Sequence, residues 1–131
     1  MIVDDPEVHA QVSALFAAYE RALTTNDVAA LDAFFFDSPT TIRFGAGESL
    51  YGIDAIRAFR AARSPVGLER ALEETTITTY GRDFATASTL FRRVSAPGKV
   101  GRQMQTWVRF AQGWRIVAAS VSVIADPAAT P

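Results

Sequence analysis

The stretch from Gly101 to Val123, GRQMQTWVRFAQGWRIVAASVSV, decides the fold. β-Branched and aromatic residues crowd both sides of Ala111-Gln112-Gly113, so the spacing predicts two long strands joined by a Gly-bearing turn. Alternation sets Gln103, Gln105, Trp107 and Arg109 on one face of the first strand, and Arg102, Met104, Thr106, Val108 and Phe110 on the other. The return strand sets Trp114, Ile116, Ala118 and Ser120 against Val117, Ala119, Val121 and Val123. Every face is half apolar, which suits a sheet covered on both sides. Helices are expected on one side and a second subunit on the other.

Outward from this hairpin the chain reads as one domain over residues 1–131. Apolar residues make up 49% and charged residues 21%, the balance of an ordinary globular chain. A net charge of −1 offers no basic surplus for nucleic acid or an anionic membrane, and neither partner is expected. Cysteine is absent, which removes disulfides, thiolate nucleophiles and Cys metal sites. Neither a signal peptide nor a bilayer-spanning run is recognisable, so a cytoplasmic location is the default expectation.

Asp5 and Pro6 form a helix start, and Val8, Val12, Leu15, Phe16, Tyr19 and Leu23 give one apolar stripe to about Thr24. Thr25 or Asn26 is expected to cap a second, shorter helix holding Val28, Leu31, Phe34 and Phe35, ended by Asp37-Ser38-Pro39. Phe34, Phe35 and Phe36 cannot all face one way, so one should line a cavity or an interface. Thr40 to Phe44 and Glu48 to Tyr51 read as short strands around Gly45-Ala46-Gly47. Gly52 opens a third helix with Ile53, Ile56 and Phe59 on its buried face, stopped by Ser64-Pro65. Strands follow at Glu69–Tyr80 and Phe84–Ser95, then the hairpin, then a frayed tail from Asp126 to Pro131. This order is α+β: three helices on a curved, mainly antiparallel sheet.

Among the polar residues, Arg43 shares a strand face with Thr41, while Ile42 and Phe44 take the other. Either it pairs with Glu48 across the turn, or it anchors a carboxylate, a contact worth roughly 1.5–3 kcal/mol in a partly dry pocket. Tyr19 is either core with its hydroxyl satisfied at the periphery or, beside Arg43, a proton donor favoured by the positive charge. Glu48 reads as a turn residue or the partner of Arg43 before it reads as a base. Gln103, Gln105 and Thr106 offer uncharged hydrogen bonds, though their cavity-facing side is open. Arg60 and Arg63 are placed to reach a pocket mouth or to stay solvated. His9 is the single histidine, so neither a common metal triad nor a serine triad is expected.

The element order and the ending Gly113-Trp114-Arg115-Ile116-Val117 resemble the cone-shaped NTF2-like superfamily. More specifically, Ile42-Arg43-x-Gly45, Glu48-x-x-Tyr51-Gly52, Phe59-Arg60-x-x-Arg63, Thr78-Thr79-Tyr80-Gly81 and Gly101-Arg102-Gln103-x-Gln105-Thr106-Trp107-Val108-Arg109 resemble the AtzH-like family, associated with oxalurate and cyanuric-acid catabolism. The resemblance spans nearly the whole chain. It implies a decarboxylase of small carboxylated urea-like acids that needs neither metal nor organic cofactor, with a catalytic pair falling on Tyr19 and Arg43. It also implies a homodimer or higher homo-oligomer.

Phe16, Phe35, Glu48, Tyr51, Phe59, Met104, Gln105, Thr106 and Ser120 are expected to line the pocket. Ser120 stands where relatives commonly have His, and Met104 where they have a small polar residue, so a less basic, more apolar pocket is expected. The alternative is a non-catalytic module with the same cone fold, binding a small carboxylate or apolar ligand or serving oligomerisation. A steroid-isomerase-like enzyme ranks last, since it needs a carboxylate base from the sheet.

Overall fold

A computed structural model describes residues 1–128. The Asp5 carboxylate accepts the backbone N–H groups of Glu7 at 3.1 Å and Val8 at 3.3 Å, which starts α1 (Pro6–Thr24) as its sequence requires. The cap of α2 (Val28–Phe34) is Asp27, which accepts the Ala30 N–H at 3.2 Å, and not Thr25 or Asn26. Asn26 instead takes the left-handed turn between the helices, with φ 53°, a conformation that Asn tolerates better than most side chains. The short strands β1 (Ile42–Phe44) and β2 (Ser49–Tyr51) lead through Gly52 into α3 (Ile53–Ala62). The long strands β3 (Ala71–Tyr80), β4 (Phe84–Arg92), β5 (Lys99–Phe110) and β6 (Gly113–Ala125) complete the described chain.

The six strands form one sheet in the order β2-β1-β6-β5-β4-β3. All neighbours are antiparallel except β1 and β6, which run parallel and pair Arg43 with Ala119. Register shifts between Glu73 and Thr76 on β3, and between Thr106 and Trp107 on β5, interrupt the ladder and bend the sheet. The second shift corrects the strict alternation expected of the hairpin. Thr106 pairs with Ala118 but Trp107 pairs with Ile116, so Val117 is the extra residue and the parity of β6 changes across it. Trp114 and Ile116 therefore share the buried inner face with Ala119 and Val121, while Ala118 and Ser120 face outward.

The inner face packs against the α1 stripe, Leu31, Ile53 and Ile56. The three consecutive phenylalanines divide: Phe34 meets the edges of Tyr19 and Trp107, Phe35 is buried, and Phe36 stacks on Phe110 at 4.1 Å. The first part of the expected tail is tied down, since the Asp126 carboxylate pairs with Arg92 and accepts the Ala128 N–H at 3.0 Å. Residues 129–131 lie outside the described residues.

Gly101 faces inward beside Phe91, its partner on β4, and a Cβ there would stand 2.0 Å from the Phe91 ring. That ring is held between the Arg70 guanidinium at 4.5 Å and that of Arg93 at 4.9 Å, so it has little freedom to yield. Gly101→Ala is expected to destabilise by about 1–3 kcal/mol through overpacking. Urea unfolding checks this through a lowered midpoint at unchanged slope.

Candidate functional site

Trp107, Trp114 and Ile116 fill one end of the inner face; toward the other end, Gln103, Val121 and Val123 face a cavity of about 260 Å³. The last turns of α1 bring Tyr19 and Leu23 to it, β1 brings Arg43, α3 brings Phe59 and Arg63, and the connections after α3 and β4 bring Leu68, Arg70 and Arg93. Phe59 projects from the second half of α3, and Arg63 is its C-cap, where the backbone turns extended with ψ 138°. The sheet register sets the other side: Gln103 pairs with Val121 and Ala119 with Arg43, one inner-facing file after another.

Every polar side chain on the wall, among the described residues, carries hydrogen-bond donors. No Asp or Glu lines this cavity among the described residues. Arg43 donates to Glu48 at 3.0 Å and lies 5.4 Å from the centre of the Phe59 ring, so the expected turn pairing and a position on the cavity wall are both realised. Arg70 is held by Glu20 through two hydrogen bonds, of 2.8 and 2.6 Å. Arg63 Nε and Nη2 and Arg93 Nε are buried without a hydrogen-bond partner among the described residues.

Behind the wall, Arg60 is 1% exposed and stands over the Phe35 ring at 4.8 Å, with its Nε 3.6 Å from Asp32 Oδ1. That is an ion pair without a hydrogen bond, and none of the three guanidinium nitrogens finds one among the described residues. A buried charge held only by a long ion pair and a ring face is costly. Arg60 was expected at a pocket mouth or in solvent; it takes instead a place in the buried face of α3, because the side chain at this position points at α2.

These cations act on Tyr19. Its burial would raise the phenol pKa, but the charges of Arg60, Arg43 and Arg70, with Arg60 close to hydrogen-bonding range, outweigh burial and bring it below the ordinary 10. Arg63 is itself lowered, first by burial and then by repulsion from Arg60 and Arg43.

Of the expected pocket residues, Phe59 lies on the cavity wall and Glu48 pairs with the wall residue Arg43. Phe35 is core, 6.4 Å from the Tyr19 ring and under Arg60. Phe16 is core as well and borders a separate depression beside Ala17 and Thr24. Gln105 is buried and accepts the Trp107 indole N–H at 3.1 Å. Met104, Thr106 and Ser120 project from the opposite face of the sheet, Met104 being 58% exposed, and Tyr51 is 66% exposed against Phe44. Strand parity separates them from the cavity, so the Ser120 and Met104 departures change the outer face and not the pocket. Arg70 and Arg93 were not anticipated. Arg93 carries a signal, since of two adjacent arginines at the end of a strand one must point inward, in phase with Phe91. Arg70 lies in a connection with no periodicity to betray it.

Among the described residues there is no group of three or more His, Cys, Asp or Glu placed to hold a metal ion, and no helix long and apolar enough to cross a membrane. A more open groove of about 700 Å³ adjoins the cavity and shares Gly67, Leu68 and Arg70 with it.

The lowered Tyr19 pKa carries a sign. Its ionisation favours the folded state, an effect fully present above the unfolded value near 10 and lost as pH falls through the folded value. In ultraviolet difference titration of the native protein, one tyrosine is expected to ionise below 10. Tyr19→Phe should remove that phase and Arg60→Gln should move it upward.

None of the curated proteins matches the chain. Among solved structures it is similar to a protein of unknown function from Pectobacterium atrosepticum, at 58% identity over 94% of this chain and 95% of the other, with a TM-score of 0.91. It is also similar to a cystatin-like fold protein from Burkholderia xenovorans, at 50% identity over 97% and 99% of the two chains and a TM-score of 0.93. A ketosteroid isomerase-like protein from Erwinia carotovora atroseptica shares the fold alone, at 18% identity over 92% and 99% and a TM-score of 0.73. The AtzH-like family model matches residues 1–127, and with the motifs around Arg43 in place on this fold, the chain belongs to the AtzH-like family.

Proposed function

We propose that this protein is a lyase that decarboxylates a small ureido acid at Tyr19 and Arg43, without a metal or organic cofactor. The observation that supports this reading is that both residues line one cavity in which surrounding guanidiniums lower the Tyr19 pKa. In the proposed step the bond between nitrogen and the carboxyl carbon breaks. Its electron pair stays on nitrogen, which takes the Tyr19 proton, and CO2 leaves. Tyr19 is left as a phenolate that Arg60 and Arg43 stabilise until water reprotonates it. The nitrogen holds the electron pair itself, so the step calls for no further electron sink. Arg43 is positioned to hold a substrate carboxylate, sharing its guanidinium with Glu48 or displacing that side chain.

The steroid-isomerase reading loses support, because the cavity wall has no carboxylate base among the described residues. Incubation with N-carboxylated ureas, which carry the nitrogen–carboxyl bond that the step breaks, followed by mass spectrometry, tests the decarboxylase. Tyr19→Phe is expected to lower turnover by roughly 10²–10⁴-fold, and Arg43→Gln to abolish it while the protein stays folded. The rate of the unaltered protein should fall as pH rises through the lowered Tyr19 pKa, since only the phenol donates. Stabilisation by these acids without product would favour the binding module instead.

The homodimer is proposed to form through the outer sheet face. There Ile42, Phe44, Met104 and Ala118 border a groove of about 450 Å³ with little polar surface. Met104→Lys is expected to shift sedimentation toward the monomer. A monomer for the unaltered chain at micromolar concentration would rule the interface out.

A further inference from the structure

Gln103 is 3% exposed, lies on the cavity wall and is the only side-chain amide there among the described residues. Its Oε1 accepts a hydrogen bond from Arg70 Nη2 at 3.0 Å, while its Nε2 is buried without a partner among the described residues. The amide cannot turn over, because that would set an N–H against a guanidinium N–H, donor to donor. Arg70 in turn cannot follow a ligand. Glu20, outside the cavity wall, grips it through both Nε and Nη2, and the Phe91 ring lies 4.5 Å beneath it. The chain Glu20–Arg70–Gln103 thus fixes the orientation of one uncharged N–H donor on a side chain that borders the same cavity as Tyr19 and Arg43.

We infer that Gln103 is a specificity-determining residue that donates its Nε2 hydrogen to a neutral carbonyl oxygen of the ligand, aimed by Glu20 and Arg70. This rests on the proposed function for the identity of the acid but not for its own geometry. The guanidiniums select negative charge, and any small carboxylate satisfies them. Gln103 adds what they lack, a preference for an acid that also carries an uncharged acceptor, such as a urea or ketone carbonyl. A ligand lacking that oxygen leaves Nε2 buried and unpaired, which is the kind of mismatch by which sites discriminate strongly. Glu20 and Arg70 act as positioning residues, through the amide.

Binding of 4-oxopentanoate and pentanoate, measured by titration calorimetry, provides the test. The unaltered protein is expected to bind 4-oxopentanoate about tenfold more tightly than pentanoate, the ratio expected for one such hydrogen bond. Gln103→Met should abolish that ratio while leaving pentanoate affinity in place, and Gln103→Glu, which offers an acceptor to the ligand, should reverse it. Glu20→Gln, which loosens Arg70, should reduce the ratio without removing acid binding.

Equal affinity for the ketone acid and pentanoate in the unaltered protein would overturn the inference, as would a ratio that survives Gln103→Met. If no N-carboxylated urea is decarboxylated while the ketone-acid preference holds and depends on Gln103, the decarboxylase reading falls and the role of Gln103 stands.

Discussion

The ladder between β5 and β6 is the constraint on which the rest depends. It joins residues 99–110 to residues 113–125 and runs the length of both strands, and every inward-facing side chain of the sheet's centre inherits its direction from it. The single irregularity at Thr106 and Trp107 is as consequential as the pairing. It lets Trp107, Trp114 and Ile116 converge on a dry core at one end while Gln103, Val121 and Val123 turn toward the cavity at the other. β1 then joins β6 in parallel, and that register alone places Arg43 on the inner face. A shift of one residue would exchange Arg43 for Phe44.

Around the cavity the charges are not balanced pair by pair. Arg43 has Glu48, Arg70 has Glu20 and Arg60 has Asp32, although the last pair does not reach hydrogen-bond distance. Arg63 and Arg93 have no carboxylate within ion-pair distance among the described residues. Tyr19, set among these groups, is a group whose loss of a proton relieves the excess. Position in the field, more than any direct bond, is what separates this tyrosine from a core residue that merely hides its ring.

How much of this was legible in the sequence follows from which forces act locally. The α1 stripe, its Asp5 cap and the Gln112-Gly113 turn depend on neighbours a few residues apart, and they are where periodicity put them. Tyr19 and Arg43 were legible as candidates, and the structure brings them to one cavity. The faces of β6 were not legible, because one extra residue inverts parity and nothing in Arg115-Ile116-Val117-Ala118 announces it. Ser120 and Met104 were misplaced for that reason and because the hairpin's polar face was left undecided. Arg60 was misread because surface arginine is the ordinary expectation for an amphipathic helix, whereas its burial is imposed by α2, an element distant in sequence.

The buried guanidiniums have a consequence for how the protein exists when nothing occupies the cavity. Like charges gathered around a small cavity push against one another, and the packing of the Trp107 end must hold them together. On the proposed function, a bound acid would relieve that repulsion, so resistance to unfolding and affinity for anions would be opposed in the same side chains. Exchanging Arg63 and Arg93 for uncharged residues would then give a sturdier domain whose melting responds less to the acids around it.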